Sequence, residues 1–210
     1  DAIAGKKKEL NSFVKGVRTD VYRALSQYER KPLLDQALSG LYPPGSTFKT
    51  MVALAALESG VDPNTSYTCT GAFAFGNHVF KCDKVHGTLN MTGAIATSCD
   101  VYFYRTALQV GVDKIAEVAR RFGLGQIFDI GISGQKAGIV PDQAWKKKYF
   151  RNSPANQKWF PGETPSVGIG QGYTVVNPLQ LCVMVARLAN GRKSLHPRLV
   201  RSIGGVEQPR

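Results

Sequence analysis

The plainest helical pattern of apolar and polar positions lies in "NPLQLCVMVARLANG", residues 177–191. Asn177 stands as an N-cap, Pro178 falls in the first turn, and Gly191 sits just past the end. "TDVYRALSQYE" predicts a shorter helix with Thr19 as its N-cap. After "SGLYPPG" a long, almost wholly apolar helix is expected from about Ser46 to Ser59, stopped by Gly60. Residues 61–87 lack periodicity and contain Pro63, Gly71 and Gly76, so they read as a loop. It is long for a compact domain, and something has to hold it in place. "LNMTGAIATS" and "DVYFYRTALQVG" predict two helical pieces meeting near Ser98, and Asp113 is placed to cap "KIAEVARRFG", which Gly123 ends. From 124 to 176 the chain is rich in Gly and Pro, with "SVGIGQGYTVV" read as a strand or an extended ledge. No internal repeat or low-complexity tract appears, and the expected content is mostly helix with few strands.

Composition narrows this to one folded domain of ordinary size or a large piece of a bigger one: 210 residues, 43% hydrophobic and 20% charged. No run approaches the roughly 20 apolar residues that cross a bilayer. "DAIAGKKKEL" has no apolar h-region, so it is not read as a signal peptide; an anchor upstream would lie outside this chain. The net charge of +12 favours an anionic partner: nucleic acid, anionic lipid or a carboxylate-rich polymer. The densest runs, Lys6-Lys7-Lys8 and Lys146-Lys147-Lys148, are read as solvated basic faces, and with no nucleic-acid motif present a nucleic-acid partner is not expected.

The candidate chemistry begins in "YPPGSTFKT". Ser46 and Lys49 are three positions apart and share one helix face. A serine hydroxyl is a poor nucleophile until a base takes its proton. Apolar neighbours and the positive end of a helix dipole both favour the neutral amine that such a base needs. The spacing also occurs at Ser12/Lys15 and Ser133/Lys136, but those pairs sit in a weakly patterned N-terminal stretch and a Gly-rich loop. Only Ser46 follows a rigid Pro-Pro-Gly entry. The plain alternative makes Ser46 an N-cap and Lys49 a surface lysine.

Three blocks in order, "YPPGSTFKTMVALAALESG", "TSCDVYFYRTALQVG" and "PSVGIGQGYTVVNPLQLCVMVARLANG", resemble the transpeptidase domain of class B penicillin-binding proteins, nearest the rod-elongation type. The resemblance runs from about Asn11 to Val200. It implies an α/β fold of the penicillin-binding/serine β-lactamase type, here mostly α-helical with much of the central sheet missing. It implies a D,D-transpeptidase that cross-links peptidoglycan stem peptides in cell elongation and is acylated by β-lactams. Ser46 would be the nucleophile, its N–H half of an oxyanion hole, Lys49 the base and Ser98 a proton relay. Asp100 stands where most of the superfamily has Asn, as elongation-type members can, and an ionised carboxylate there can only accept hydrogen bonds. The implied location is the periplasmic face of the bacterial inner membrane, with a membrane-embedded glycan polymerase and scaffold proteins as partners and no cofactor needed for catalysis. The family's third signature, K-T-G, is not found after "GIGQG". Residues 1–210 are therefore expected to be a partial domain with 1–18 as an arm or cut edge, carrying the helical side of the site and inactive alone. A D,D-carboxypeptidase, a serine β-lactamase using Glu163 as its extra base, and a basic binding or scaffold module are the competing readings.

The cysteines add a separate expectation. Cys69-x12-Cys82-x3-His86-x12-Cys99 is an ordered set of three thiols and an imidazole, enough for a closed tetrahedral zinc site of structural type. It would also explain what fixes residues 61–87. A Cys69–Cys82 disulfide, or no linkage at all, remains open. His78 is a substitute ligand, His196 reads as a surface residue, and Cys182 reads as a small core residue.

Overall fold

The computed structural model describes residues 16–191 and 193–207, so Ser12/Lys15 and Lys6-Lys7-Lys8 lie outside the described residues. The helices are α1 (Thr19–Gln27), α2 (Lys49–Glu58), α3 (Met91–Ala96), α4 (Asp100–Val110), α5 (Val112–Arg121), α6 (Gln143–Tyr149), α7 (Pro154–Gln157), α8 (Thr164–Gly168) and α9 (Pro178–Asn190). A helix apolar on every side is stable only inside a protein, and α2 is the centre of the core. Met51, Val52, Ala55 and Ala56 are fully buried, packed by α4 and α5, with α8 also lying against α4. Gly168 lets α8 come close: a Cβ there would lie 2.5 Å from Ala107 Cβ and 2.9 Å from the Phe103 carbonyl oxygen.

The strands are short and form two-stranded antiparallel sheets among the described residues: β1 (Tyr67–Cys69) with β4 (Gly87–Leu89), β2 (Ala72–Phe75) with β3 (His78–Lys81), and β5 (Ser202–Ile203) with β6 (Val206–Glu207). The segment expected to be a loop at 61–87 is thus a pair of ladders, in register Cys69↔Gly87 and Phe73↔Phe80. Each strand is too short for its alternation to register in the sequence, and aromatic packing on α4 supplies what is missing. Phe73 and Phe80 lie against Tyr104, and Tyr67 against Tyr102, with ring centroids 5.1–6.3 Å apart. Arg105 lies over both Tyr67 and Phe73, and the Tyr104 hydroxyl donates to the Lys81 carbonyl at 2.9 Å.

Helix α9 follows the pattern read from its sequence. The Asn177 side chain accepts from Gln180 N–H at 2.9 Å, and Gly191 is left-handed past the end. Other details differ. Thr19 is the first helical residue, and the capping position belongs to Arg18, which pairs with Asp20. Asp113 lies inside the first turn of α5 and accepts instead from Gln143 of α6, at 3.0 Å from its backbone N–H. The "SVGIGQGYTVV" stretch begins as α8 and becomes extended only at Val175 and Val176, which form single bridges to Ile139 and Tyr42. Cys182 points outward on the exposed side of α9 rather than into the core.

The largest departure is Lys146. In the run read as a solvated basic face, this side chain is only 2% exposed, and its ammonium lies 2.5 Å from both carboxylate oxygens of Glu163. The rings of Phe150, Trp159, Phe160 and Tyr173 surround the ammonium at 4.8–6.0 Å. Glu163 also accepts from the Tyr173 hydroxyl and the Phe160 N–H, so this half-buried carboxylate is fixed in place as the partner of the buried ammonium. Removing one partner of such a pair costs about 3–5 kcal/mol. Lys146→Ala should therefore lose about that much stability, whereas Lys147→Ala, at an exposed position, should stay within about 0.5 kcal/mol. Denaturant unfolding of the two variants side by side checks this.

Candidate active site

The stretch before Ser46 is pinned by backbone bonds. Tyr42 exchanges two bonds of 2.9 Å with Val176, and Gly45 N–H donates to the Gly170 carbonyl at 3.0 Å. Gly170 can sit there only without a side chain: its φ is 69°, and a Cβ would lie 2.4 Å from Gly45 O and 2.7 Å from Phe48 Cβ. The chain then enters a 3-10 turn, Gly45–Phe48, before α2 begins at Lys49. Ser46 is therefore neither an α-helical residue nor a side-chain cap. In 3-10 geometry positions i and i+3 nearly eclipse, which stacks Lys49 beneath Ser46.

Ser46 is exposed while Lys49 is only 3% exposed, which excludes the reading of Lys49 as a surface lysine. The Lys49 ammonium donates to the Ser98 carbonyl at 2.7 Å and the Ser98 hydroxyl at 2.9 Å, and lies 2.5 Å from Asp100 Oδ1. Those three acceptors match the three N–H bonds of an ammonium. The Ser98 hydroxyl in turn donates to Ser46 Oγ at 2.9 Å. Ser46, Lys49, Ser98 and Asp100 are thus brought together, with one difference from the expected arrangement: the path from Lys49 to Ser46 runs through the Ser98 hydroxyl.

Ser98 reaches that position at a conformational cost. Its φ is 54°, a left-handed conformation that a serine adopts at the expense of about 1–3 kcal/mol unless its surroundings hold it. It joins the end of α3 to the start of α4, with Cys99 N–H bonded back to the Ala94 carbonyl at 2.9 Å. From behind, Asp100 N–H donates to Cys82 Sγ at 3.3 Å.

That sulfur belongs to a cluster. The ligating atoms of Cys69, Cys82, His86 and Cys99 all lie within 4.8 Å of one another, and the thiols are free rather than disulfide-bonded. His86 Nδ1 is 3.5 Å from both Cys69 Sγ and Cys82 Sγ. A tetrahedral zinc with sulfur near 2.3 Å and nitrogen near 2.0–2.1 Å has sulfur–nitrogen edges of about 3.5 Å, so the donor set fits that ion. Burial pushes the Cys99 thiol up to about 12. Burial acts the same way on Cys69, but hydrogen bonds from His86 and from the Gly71 and His86 backbone bring it down to about 7. His78 lies outside the cluster, edge-on to Phe80, and His196 is exposed.

Residues 2–210 match the family model described as the penicillin binding protein transpeptidase domain. The chain belongs to this transpeptidase family. It is 37% identical over 202 residues to the peptidoglycan D,D-transpeptidase MrdA of Acinetobacter baumannii, covering 94% of this chain and 29% of that protein. Against MrdA of Escherichia coli K12 it is 34% identical over 197 residues, 91% of this chain and 30% of the relative. The chain thus spans under a third of the length of these curated relatives. Among solved structures, Pseudomonas aeruginosa PBP2 in complex with WCK 5153 superposes with a TM-score of 0.83 at 37% identity, over 92% of this chain and 42% of that one. Helicobacter pylori PBP2 in complex with MreC gives 0.83 at 34% identity, over 95% of this chain and 36% of that one.

Within this transpeptidase fold, Ser133 and Lys136 lie in an irregular loop, Lys136 N–H being tied to the Leu38 carbonyl. Glu163, the base a β-lactamase reading would need, is held by Lys146, Tyr173 and the Phe160 N–H. Sequence reasoning missed the Gly170 contact, although the glycine density of "GIGQG" is its signal. It also missed the left-handed Ser98 and the Asp100–Cys82 bond, for which no local signal exists.

Gly170→Ala should displace the Gly45–Ser46 turn and lower stability by about 1–3 kcal/mol, combining a positive φ with a backbone clash. Gly162→Ala, whose Cβ meets nothing within 4 Å, should leave the melting temperature unchanged. Thermal unfolding of both variants tests the contact.

Proposed function

We propose that the chain carries the serine–lysine side of a peptidoglycan D,D-transpeptidase site, in a protein of the cell-elongation type. The observation that carries this reading is the Ser98 hydroxyl 2.9 Å from both the buried Lys49 ammonium and the exposed Ser46 hydroxyl. In the forward step Ser46 Oγ attacks the penultimate D-Ala carbonyl of a stem peptide, and its proton leaves along the Ser98–Lys49 path. For Lys49 to receive it, the ammonium first gives up a proton, and the Asp100 carboxylate is the strongest acceptor it touches. Collapse of the tetrahedral adduct breaks the peptide bond, and the same path returns a proton to the departing D-Ala amine. The acceptor amine then attacks the ester and loses a proton to Ser98 and Lys49, and as the ester C–O bond breaks that proton passes to Ser46 Oγ, restoring its hydroxyl. The Ser46 N–H, at the start of the 3-10 turn, is placed to donate to the oxyanion.

The relatives support the rest. One similar structure concerns the coordination of polymerization and crosslinking by a peptidoglycan synthase complex, and another pairs PBP2 with MreC. For this chain the corresponding partners are a membrane-embedded glycan polymerase and a scaffold protein at the periplasmic face. No described helix is long and apolar enough to cross a membrane.

Cys69, Cys82, His86 and Cys99 would hold one zinc ion as structure. Four protein ligands leave no open position for water, so the ion supplies binding energy to the fold rather than Lewis acidity. Through the Cys82–Asp100 contact these residues brace Ser98 and Asp100 from outside the substrate side.

Fluorescent penicillin tests the nucleophile, using the domain joined to a family K-T-G segment. Ser46→Ala should abolish labelling, and Lys49→Ala should slow acylation at least about a hundredfold, the usual scale for losing a general base. Ser133→Ala should label normally; unchanged labelling of the Lys49 variant would overturn the assignment.

Elemental analysis of protein purified reduced and without chelator should find one zinc per chain, and a strong chelator should lower its melting temperature and loosen residues 61–100. Less than about a tenth of an equivalent would retire the metal.

A further inference from the structure

We propose that the groove beside α6 is a binding site for a carboxylate-bearing amino-sugar glycan, resting on the transpeptidase reading above. The groove is open to solvent, has a volume of about 480 Å³ and is lined by Trp145, Lys148, Tyr149, Arg151 and Asn152. That volume lies within the usual range for small-molecule sites, about 300–1,000 Å³.

Trp145 and Tyr149 are one helical turn apart on α6, and their rings stack at 4.9 Å with planes 26° apart. Phe150 meets the Tyr149 ring edge-on at 5.0 Å. Tyr149 is thus packed by two rings, yet remains 62% exposed. A rigid, largely exposed aromatic ring is a platform for the apolar face of a sugar, and its ordering cost is already met before binding. Beside it, Lys148 and Arg151 are exposed, and no carboxylate among the described residues pairs with either. Lys146, in the same run, is neutralised inside the protein by Glu163, so the outward cations are the ones left to meet an anion. Asn152 offers an amide that can both donate to and accept from hydroxyl or acetamido groups. Sugar face, carboxylate and acetamido group together describe a saccharide that carries acidic peptide.

The groove is also coupled to the serine site. Trp145 packs on Tyr173 at 5.2 Å, and Tyr173 lies three residues past Gly170, whose carbonyl holds Gly45. A glycan seated at Tyr149 would lie outside the reaction centre, joined through Trp145 and Tyr173 to the segment that positions the nucleophile turn. A single exposed aromatic ring in a concavity suits one or two sugars better than an extended single strand, which needs successive stacking platforms.

The test is a titration of the isotope-labelled chain with a soluble disaccharide tetrapeptide cut from peptidoglycan, followed by the indole N–H signals of Trp145 and Trp159. The Trp145 signal should move in a saturable way while that of Trp159 stays. Tyr149→Ala should weaken binding at least about tenfold, as should Lys148→Ala with Arg151→Ala, the scale of losing one aromatic stack or a charge contact. Melting curves check that these exposed substitutions leave the fold intact. The neutral N-acetylglucosamine dimer should bind more weakly than the disaccharide tetrapeptide. Absence of a saturable Trp145 shift, equal affinity of the variants, or Tyr149-dependent capture by phosphatidylglycerol vesicles in place of the disaccharide would overturn the site. Penicillin labelling at Ser46 in the domain joined to the K-T-G segment separates the two readings: labelling without disaccharide binding overturns the glycan site alone, and the absence of both overturns both.

Discussion

A lysine ammonium buried at the first turn of an apolar helix is the constraint around which this chain is organised. A charge withdrawn from water costs several kcal/mol unless its hydrogen bonds are met where it lies. Lys49 meets all three, and every acceptor comes from the joint between α3 and α4: the Ser98 carbonyl, the Ser98 hydroxyl and the Asp100 carboxylate. The left-handed backbone of Ser98 follows from that demand, because it turns the carbonyl and the hydroxyl of one residue toward the same ammonium. The hydroxyl that accepts from Lys49 is also the one that reaches Ser46, so meeting the buried charge links the two side chains.

Two separate braces hold this joint and the turn opposite it. On one side the thiol–imidazole cluster reaches Asp100 through a backbone N–H, tying the short ladders of residues 67–89 to the start of α4. On the other side the Gly170 carbonyl anchors Gly45, while the caged Lys146–Glu163 pair fastens α6 to the segment leading into α8. Both use polar contacts at points where a purely apolar contact would leave rotation free. Hydrogen bonds with fixed partners specify one geometry where hydrophobic packing tolerates several. A site that depends on distances of 2.5–2.9 Å among the side chains of four residues needs that specification.

Much of the site was legible in residue order alone. Ser46 and Lys49 were identifiable from their local spacing after the Pro-Pro-Gly entry, and Ser98 and Asp100 only through the family resemblance that three blocks in fixed order carry. The cysteine series was legible for a similar reason: ligand type and count are compositional. Helix α9 could be read because its cap, its first-turn proline and its terminal glycine lie within fifteen consecutive residues.

Tertiary structure decided the rest, and the failures share a cause. Lys146 and Lys147 are identical in local sequence, yet one is buried and the other exposed, because Glu163, which selects between them, lies seventeen residues away. The strands between 67 and 89 escaped detection because three or four residues cannot show an alternation, and their stability comes from rings on α4. Cys182 was placed in the core by its neighbours in sequence, while the direction its helix faces is set by what packs on the other side. Spacing along the chain determined which groups could react. Which of them are buried, charged and within reach of one another was decided by contacts between distant segments, because desolvation and hydrogen bonding depend on neighbours in space.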